Sequence, residues 1–225
     1  MIHRTIRNSV LIVALLMSMR PAATAIEIEV LFQGKILQHL ATIADMCLTN
    51  FKPFPYCYNG EASDDDEYIK ELDNAKHGAL VVARDEGKIV GIITGMPLSA
   101  KISYCLHYLS VFKEHGYIPE DYYYFGEVIV APTHQKLGIA KQMFSTLEKT
   151  VQNWRYKGIS LITSVRADDD PRKPEGYSST DVVWEKFGCI KTQMTKSCTW
   201  CTFKEDGTSE ESENIVAFWI KELLS

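Results

Sequence analysis

The stretch EVIVAPTHQKLGIAKQMF, residues 127–144, constrains the chain more than any other. An apolar run reaches Val130 and stops at Pro132. A short polar loop with a single glycine, Gly138, follows. Ile139, Met143, Leu147 and Val151 then fall four apart, joined by Phe144 and Trp154, which is the spacing of an amphipathic helix. The next apolar run, GISLITSV at 158–165, reads as a strand. A strand, a loop, a helix and a second strand in that order predict a parallel strand pair.

The loop between strand and helix has chemical potential of its own. The first turn of a helix carries N–H groups without partners, and its dipole favours an anion there. Gly138 has no side chain to keep an anion off the backbone, and Ala140 keeps the next contact small. The Gly-Lys-Ser/Thr of a nucleotide P-loop is missing. QKLGIA therefore suits a diphosphate held by main chain; the alternative is an ordinary strand–helix turn whose glycine eases packing.

The rest of the chain supplies a frame for this unit. Ile26, Ile28 and Val30 alternate with Glu27 and Glu29, predicting a half-buried strand at 26–32. Helical spacing runs from 35 to about 50, two prolines break it in FKPFPYCYNGE, and ASDDDEYIKELDNA predicts a second helix with acidic residues at its N-terminus. ALVVARDEGKIVGIITGMPL predicts a β-hairpin around Asp85-Glu86-Gly87. Residues 101–116 are loosely amphipathic, and DYYYFGEVIV is a strand rich in aromatic and β-branched residues. DVVWEKFG predicts a short helix closed by Gly188. CIKTQMTKSCTWCTF suggests two antiparallel strands, and SEESENIVAFWIKELL a final amphipathic helix. The expected order is β-α-α-β-β-α-β-α-β-α-β-β-α: one mixed α/β (α+β) domain from residue 26 to 225, with antiparallel strands around a central parallel pair.

Composition narrows the function. A net charge of −5 argues against a nucleic-acid binder, which needs a basic excess. Six cysteines in 225 residues are too sparse for a disulfide scaffold. Cys198 and Cys201 are the close pair, but residues three apart on a strand point to opposite faces and no second ligand pair has zinc spacing, so no metal is expected. Residues 1–25 have a basic start, an apolar run from Val10 to Met17 and small residues up to Ala25, the pattern of a secretory signal; a mis-assigned start at Met17 or Met19 is the alternative. That run is too short to span a bilayer comfortably, and no other long apolar run follows, so no stable membrane insertion is expected.

Gln135-Lys136-Leu137-Gly138-Ile139-Ala140 resembles the Q/R-x-x-G-x-G/A signature of the GNAT superfamily, the acetyl-CoA-dependent N-acetyltransferases. Val130-Ala131-Pro132 before it, the helix after it, and the later VVWEKFGC also resemble that family. The resemblance covers 26 to 201, and FKPFPYCYNGE, YYFGEVIVAP and RKPEGYSSTDVVWEKFG are similar to a bacterial subgroup with little-defined substrates. It implies a mostly antiparallel sheet whose central parallel strands splay at the cofactor site, flanked by helices. It implies that acetyl-CoA is the co-substrate, with its diphosphate on the backbone of Gln135, Lys136, Leu137, Gly138, Ile139 and Ala140. Its pantetheine arm would run along Val128, Ile129 and Val130, with a backbone N–H near Val128 polarising the thioester carbonyl. An amine would attack the acetyl carbon directly.

The attacking amine must be neutral, and Glu127 is the candidate base. Strand alternation puts it on one face with Tyr123, Phe125 and Ile129, where aromatic surroundings should raise its pKa. The alternative is a carboxylate that binds a partner side chain or backbone. Many family members carry a Tyr four residues before the glycine of the short helix, as proton donor to the departing thiolate. Here that residue is Trp184, whose indole N–H is too weak an acid, so Tyr177 in the preceding loop is the substitute candidate, with direct protonation by water as the other route.

Asp168, Asp169 and Asp170, and Asp64, Asp65 and Asp66, read either as a rim that attracts cations or as solvated loop charge and helix capping. Arg166, Arg172 and Lys173 offset that rim, so a carboxylated amine is as reasonable as a basic one. The loop residue His134 reads as solvated, with phosphate contact as the alternative. The expected partner is a small-molecule or peptide amine, with room for a homodimer. The rival function is a non-catalytic acyl-CoA-binding or sensor domain. Acetyl-CoA chemistry points to the cytoplasm, and residues 1–25 point to export.

Overall fold

The computed structural model describes residues 25–100 and 106–223. The signal-like reading of 1–25 and the first part of the expected helix at 101–116 fall outside the described residues, apart from residue 25 itself. Five helices and seven strands follow one another among the described residues: β1 (Glu27–Phe32), α1 (Leu40–Phe51), α2 (Asp66–Asn74), β2 (Ala79–Asp85), β3 (Lys88–Pro97), α3 (Leu106–Glu114), β4 (Tyr122–Val130), α4 (Ile139–Asn153), β5 (Gly158–Val165), α5 (Asp181–Lys186), β6 (Ile190–Phe203) and β7 (Ser209–Glu222). The strands form one sheet in the order β1-β2-β3-β4-β5-β7-β6. Every neighbouring pair is antiparallel except β4 and β5. The mixed, mostly antiparallel sheet with one central parallel pair is thus present.

The sheet has a core on each face, because its central strands are apolar on both sides. In β2, Leu80 and Val82 face one core while Ala79, Val81 and Ala83 face the other, and all are fully buried. The first core is covered by α1, α2 and α3 through residues such as Ile43, Ile69 and Phe112. The second is covered by α4, whose Ile139, Met143, Phe144, Leu147 and Val151 are all buried, and by Trp184 of α5. Five such side chains contribute roughly 10 kcal/mol of burial, and shortening Leu147 to Ala costs about 2–5 kcal/mol of it.

Two expectations fail at the C-terminal end. SEESENIVAFWIKELL is not a helix but β7, an interior strand between β5 and β6. Its apolar run is buried on both faces, Val216 and Phe218 towards one core and Trp219 towards the other. A short run apolar on all sides fits a buried strand as well as a helix, and the free ladders of β5 and β6 decide it. CIKTQMTKSCTWCTF is one strand rather than two. The register shifts between Lys191 and Thr195, where Thr192 Oγ1 bonds the Phe218 carbonyl and accepts from Met194 N–H, so the chain bulges instead of turning.

Candidate active site

Parallel pairing between β4 and β5 stops early. Tyr122, Tyr123 and Tyr124 pair with Gly158, Ile159 and Ser160, and the strands then part. β4 continues along β3 to Val130, while β5 continues along β7 to Val165. The gap exposes one side of the β4 main chain. Glu127 N–H and Ala131 N–H turn towards β3, reaching Thr94 Oγ1 and the Val90 carbonyl. Alternation therefore turns the N–H and C=O of Val128 and Val130 towards the gap. Their side chains pack against the second core and Ile129 is buried in the first, so these three residues offer main chain only.

The loop beyond Val130 is shaped by two left-handed residues. Lys136 has φ 63° and Gly138 φ 79°, the second serving as N-cap of α4. A left-handed residue before a helical one turns successive N–H groups to one side, which makes an anion-binding hollow. The N–H groups of Lys136, Leu137 and Gly138 have no acceptor among the described residues, and the first bond closed at the helix start is Gln142 N–H to the Gly138 carbonyl. Nothing lies within 4 Å of where a Cβ on Gly138 would stand, so the hollow is open. The Gln135 side chain folds back to donate to the Val130 carbonyl at 3.2 Å. Leu137 is 63% exposed, Ala140 is half-buried, and Ile139 is core with only its backbone free. His134 is not solvated: Nε2 lies 3.1 Å from Asp85 Oδ2 and Nδ1 2.8 Å from Thr133 Oγ1, tying the loop to the β2–β3 turn.

Glu127 sits at a bulge, and this corrects its expected neighbours. Ile93 pairs with Val128 and Gly95 with Phe125, so Gly126 and Glu127 together oppose Thr94. The extra residue flips the alternation. Glu127 shares a face with Ile129, in the first core, whereas Tyr123 and Phe125 lie in the second. Thr94 Oγ1 accepts the Glu127 N–H at 2.7 Å and lies 2.9 Å from the Tyr68 hydroxyl, which satisfies the polar groups of the bulge. Only glycine fits at 126, because a Cβ there would stand 2.2 Å from the Tyr68 hydroxyl. A lone glycine inside a strand pattern was the sequence signal for this bulge.

The Glu127 carboxylate has no hydrogen bond or ion pair among the described residues. Protein surrounds it although its surface is not fully closed, and burial, with Asp65 nearby, pushes its pKa up to about 8. Asp65 itself is pushed up, first by burial and next by Asp64 and Asp66, against a hydrogen bond from the Cys47 thiol. The other acids at that helix start are engaged locally. Asp64 Oδ2 accepts from the Tyr58 hydroxyl at 2.6 Å and from Glu61 N–H at 2.8 Å, and Asp66 lies 3.9 Å from Lys70. Asp170 and Asp168 pair with Arg172 and Lys173. Capping and loop pairing thus account for all of these acids except Asp65, which turns inward, and exposed Asp169.

Tyr177 is half-buried with its ring edge-on to Phe54 at 4.7 Å, and burial followed by Asp181 raises its pKa. No direct contact joins Tyr177 to Glu127. Tyr56 links them: its phenol lies within electrostatic reach of Glu127, Tyr177 and Asp181. The Tyr56 carbonyl accepts from Arg166 at 3.0 Å and from Trp200 Nε1 at 3.2 Å. Backbone bonds from Asn59 N–H to the Cys201 carbonyl and from Phe203 N–H to the Cys57 carbonyl pin the same loop to β6. Trp184 is 8% exposed, its ring centroid 6.4 Å from that of Phe144, and its Nε1 is buried without a partner among the described residues. Cys198 and Cys201 sit on alternate faces of β6. A cavity of about 640 Å³ lined by Glu67, Lys70, His77 and Pro97 lies by the Tyr123 end of β4, away from Glu127.

No helix among the described residues is long and apolar enough to cross a membrane. No curated protein matches the chain. Among solved structures it is similar to a ribosomal-protein-alanine N-acetyltransferase from Brucella melitensis, at 12% identity and TM-score 0.56 over 88% of this chain and 99% of that one. It is also similar to an N-acetyltransferase from Staphylococcus aureus, at 13% identity and TM-score 0.53 over 88% and 99%. A GNAT family acetyltransferase from Elizabethkingia anophelis with acetyl-CoA bound matches at 14% identity and TM-score 0.50 over 88% and 98%. At these identities the likeness is one of fold. Residues 43–173 match the family model described as Acetyltransferase (GNAT) family, and they make up more than half of the chain. With that match added to the splayed strands and the open loop, the chain belongs to the acetyltransferase (GNAT) family and is an acyltransferase.

Proposed function

We propose that the protein is an N-acetyltransferase that moves an acetyl group from acetyl-CoA to a primary amine by direct attack. One observation carries the reading: the parting of β4 and β5 leaves the main chain of Val128 and the N–H of Val130 without a strand partner, a few residues before the N–H hollow at 136–138 and next to Glu127. The fit to a coenzyme A diphosphate rests on that hollow and on the open space at Gly138. Acetyl-CoA supplies the activated acyl group. The main chain of Val128, Ile129 and Val130 holds its arm, and the Val128 N–H is placed to polarise a carbonyl. Glu127 takes the proton of the attacking amine, and a carboxyl with a pKa of about 8 is well matched to that task near neutral pH. The departing sulfur takes its proton from Tyr177 or from water, since the Trp184 indole N–H is buried and too weak an acid.

Two measurements in sequence test this. Calorimetry should detect acetyl-CoA binding, and thiol release should then follow when amines are added. No affinity for acetyl-CoA would sink the reading. Affinity without turnover of any amine would move the protein to the acyl-CoA-binding class.

A further inference from the structure

Arg166 follows directly on β5, on the side of the sheet that carries Glu127, and its guanidinium is used on one edge only. Nε donates to the Pro55 carbonyl at 2.6 Å and Nη2 to the Tyr56 carbonyl at 3.0 Å. The cation also lies 5.9 Å from the centre of the Trp200 ring. The other edge, Nη1 with the second hydrogen of Nη2, has no acceptor among the described residues, and no carboxylate there lies within ion-pairing distance. The neighbouring cations are already spoken for. Arg172 grips Asp170 through Nε and Nη2 and gives Nη1 to the Phe203 carbonyl, while Lys173 lies 3.5 Å from Asp168.

Asp170, the carboxylate within electrostatic reach of Arg166, is gripped by Arg172, so the half-buried guanidinium has no direct ion pair among the described residues, and its planar fork matches a carboxylate through two parallel N–H bonds. The floor beside it is polar rather than packed. Ser164, two residues before Arg166, is paired with Val216 of β7, and Asn214 lies two residues before Val216 on that strand, so alternation puts both on this face. Ser164 Oγ and Asn214 Oδ1 are buried without partners among the described residues. Arg166 holds the Tyr56 carbonyl, and the Tyr56 phenol is within electrostatic reach of Glu127. One residue, Tyr56, is thus held by a cation at its carbonyl and feels a carboxylate at its phenol.

We propose that the free edge of Arg166 holds a carboxylate of the acceptor, so that the preferred substrate is an amine that also bears a carboxylate, of the amino-acid type. This rests on the N-acetyltransferase reading. Glu127 then meets the amino group while Arg166 fixes the opposite end, and Tyr56, whose carbonyl Arg166 clamps, forms the wall between them.

The test measures kcat/KM with acetyl-CoA for matched pairs of acceptors: amino acids, and the amines that differ from them only by loss of the carboxylate. The carboxylated member should be favoured by about 10- to 100-fold, the discrimination expected of a charge-assisted bidentate contact. Arg166→Lys and Arg166→Gln should collapse that ratio towards one. Loss of the loop clamp alone would lower both members of each pair together and leave the ratio standing, which would assign Arg166 a purely structural role and overturn the proposal. Equal rates for the pairs in the wild-type protein, or a preference for diamines, would overturn it without any variant. Acetyl-CoA binding with no acceptor consumed would instead sink the transferase reading, and this proposal with it.

Discussion

The loop at 135–140 and the pocket wall around Glu127 are joined by a single stretch of chain, yet they are built differently. Everything the loop offers is main chain: N–H groups at 136–138 and the first turn of α4, posed by left-handed residues. Its side chains point to solvent, to the core or back onto the Val130 carbonyl. The wall is the reverse. Glu127, Tyr56, Asp65 and Arg166 bring side chains from β4, the α1–α2 loop, the start of α2 and the end of β5. A backbone site needs one local sequence that sets the dihedral angles. A side-chain site needs a tertiary fold to bring distant residues together, and it can be retuned without touching the loop.

Removing the carboxylate should produce the largest effect. Glu127→Gln is expected to lower kcat by about 10²–10⁴-fold while acetyl-CoA affinity, assigned under the proposed function to the loop, stays near the wild-type value. In the wild-type protein kcat should climb with pH and level off above about 8, where the carboxyl is ionised. An unchanged kcat and pH profile in the variant would remove Glu127 from the base role. Stability should move the other way. The folded state holds the Glu127 proton up to about pH 8, against 4.5 for an unburied carboxyl, so wild-type stability from this group is lost as pH rises through that window. The Gln variant should gain on it by up to about 1.4 kcal/mol per pH unit there, measured by urea unfolding at several pH values.

The loop is broken by Gly138→Glu. Its φ of 79° makes any side chain strained by about 1–2 kcal/mol, and the open space there would receive a carboxylate where the hollow suits an anion. Acetyl-CoA affinity should fall by about 100-fold or more, with circular dichroism confirming a folded protein. Wild-type affinity in that folded variant would refute the loop assignment.

How far each region could be read in advance follows the same division. QKLGIA carries its geometry locally, so the hollow and the parting strands were expected from spacing and resemblance together. Most elements were equally local, including the hairpin at 79–97 and the period of α4. β7 was not, because a six-residue run apolar on all sides becomes strand or helix only when neighbouring ladders are present. Glu127 was placed on the right strand and the wrong face: one bulge residue reverses alternation, and strict period-2 counting ignored Gly126. Tyr56 and Arg166 were beyond reach as a pair, since 110 positions separate them.

The bulge itself can be tested with a smaller change. Thr94→Val keeps the shape of a fully buried side chain and deletes the acceptor for Glu127 N–H together with the partner of the Tyr68 hydroxyl. Leaving the Glu127 N–H without its acceptor should cost about 1–3 kcal/mol, read as a lower Tm. Activity should fall with acetyl-CoA affinity intact, because the bulge aims the carboxylate and not the loop. An unaltered Tm would mean that the Thr94 bonds do not hold the bulge.

Gln135→Ala should have the smallest effect, and it cuts most directly at the contrast between the two regions. Gln135 opens the signature that makes the loop legible, yet its side chain is exposed and its bond to the Val130 carbonyl is 3.2 Å long. If main chain does the holding, losing that side chain should change acetyl-CoA affinity by no more than about 3-fold, within the range of ordinary surface substitutions. A loss comparable to that of Gly138→Glu would show that the bond poses the whole turn, and that the loop depends on a side chain as much as the wall does.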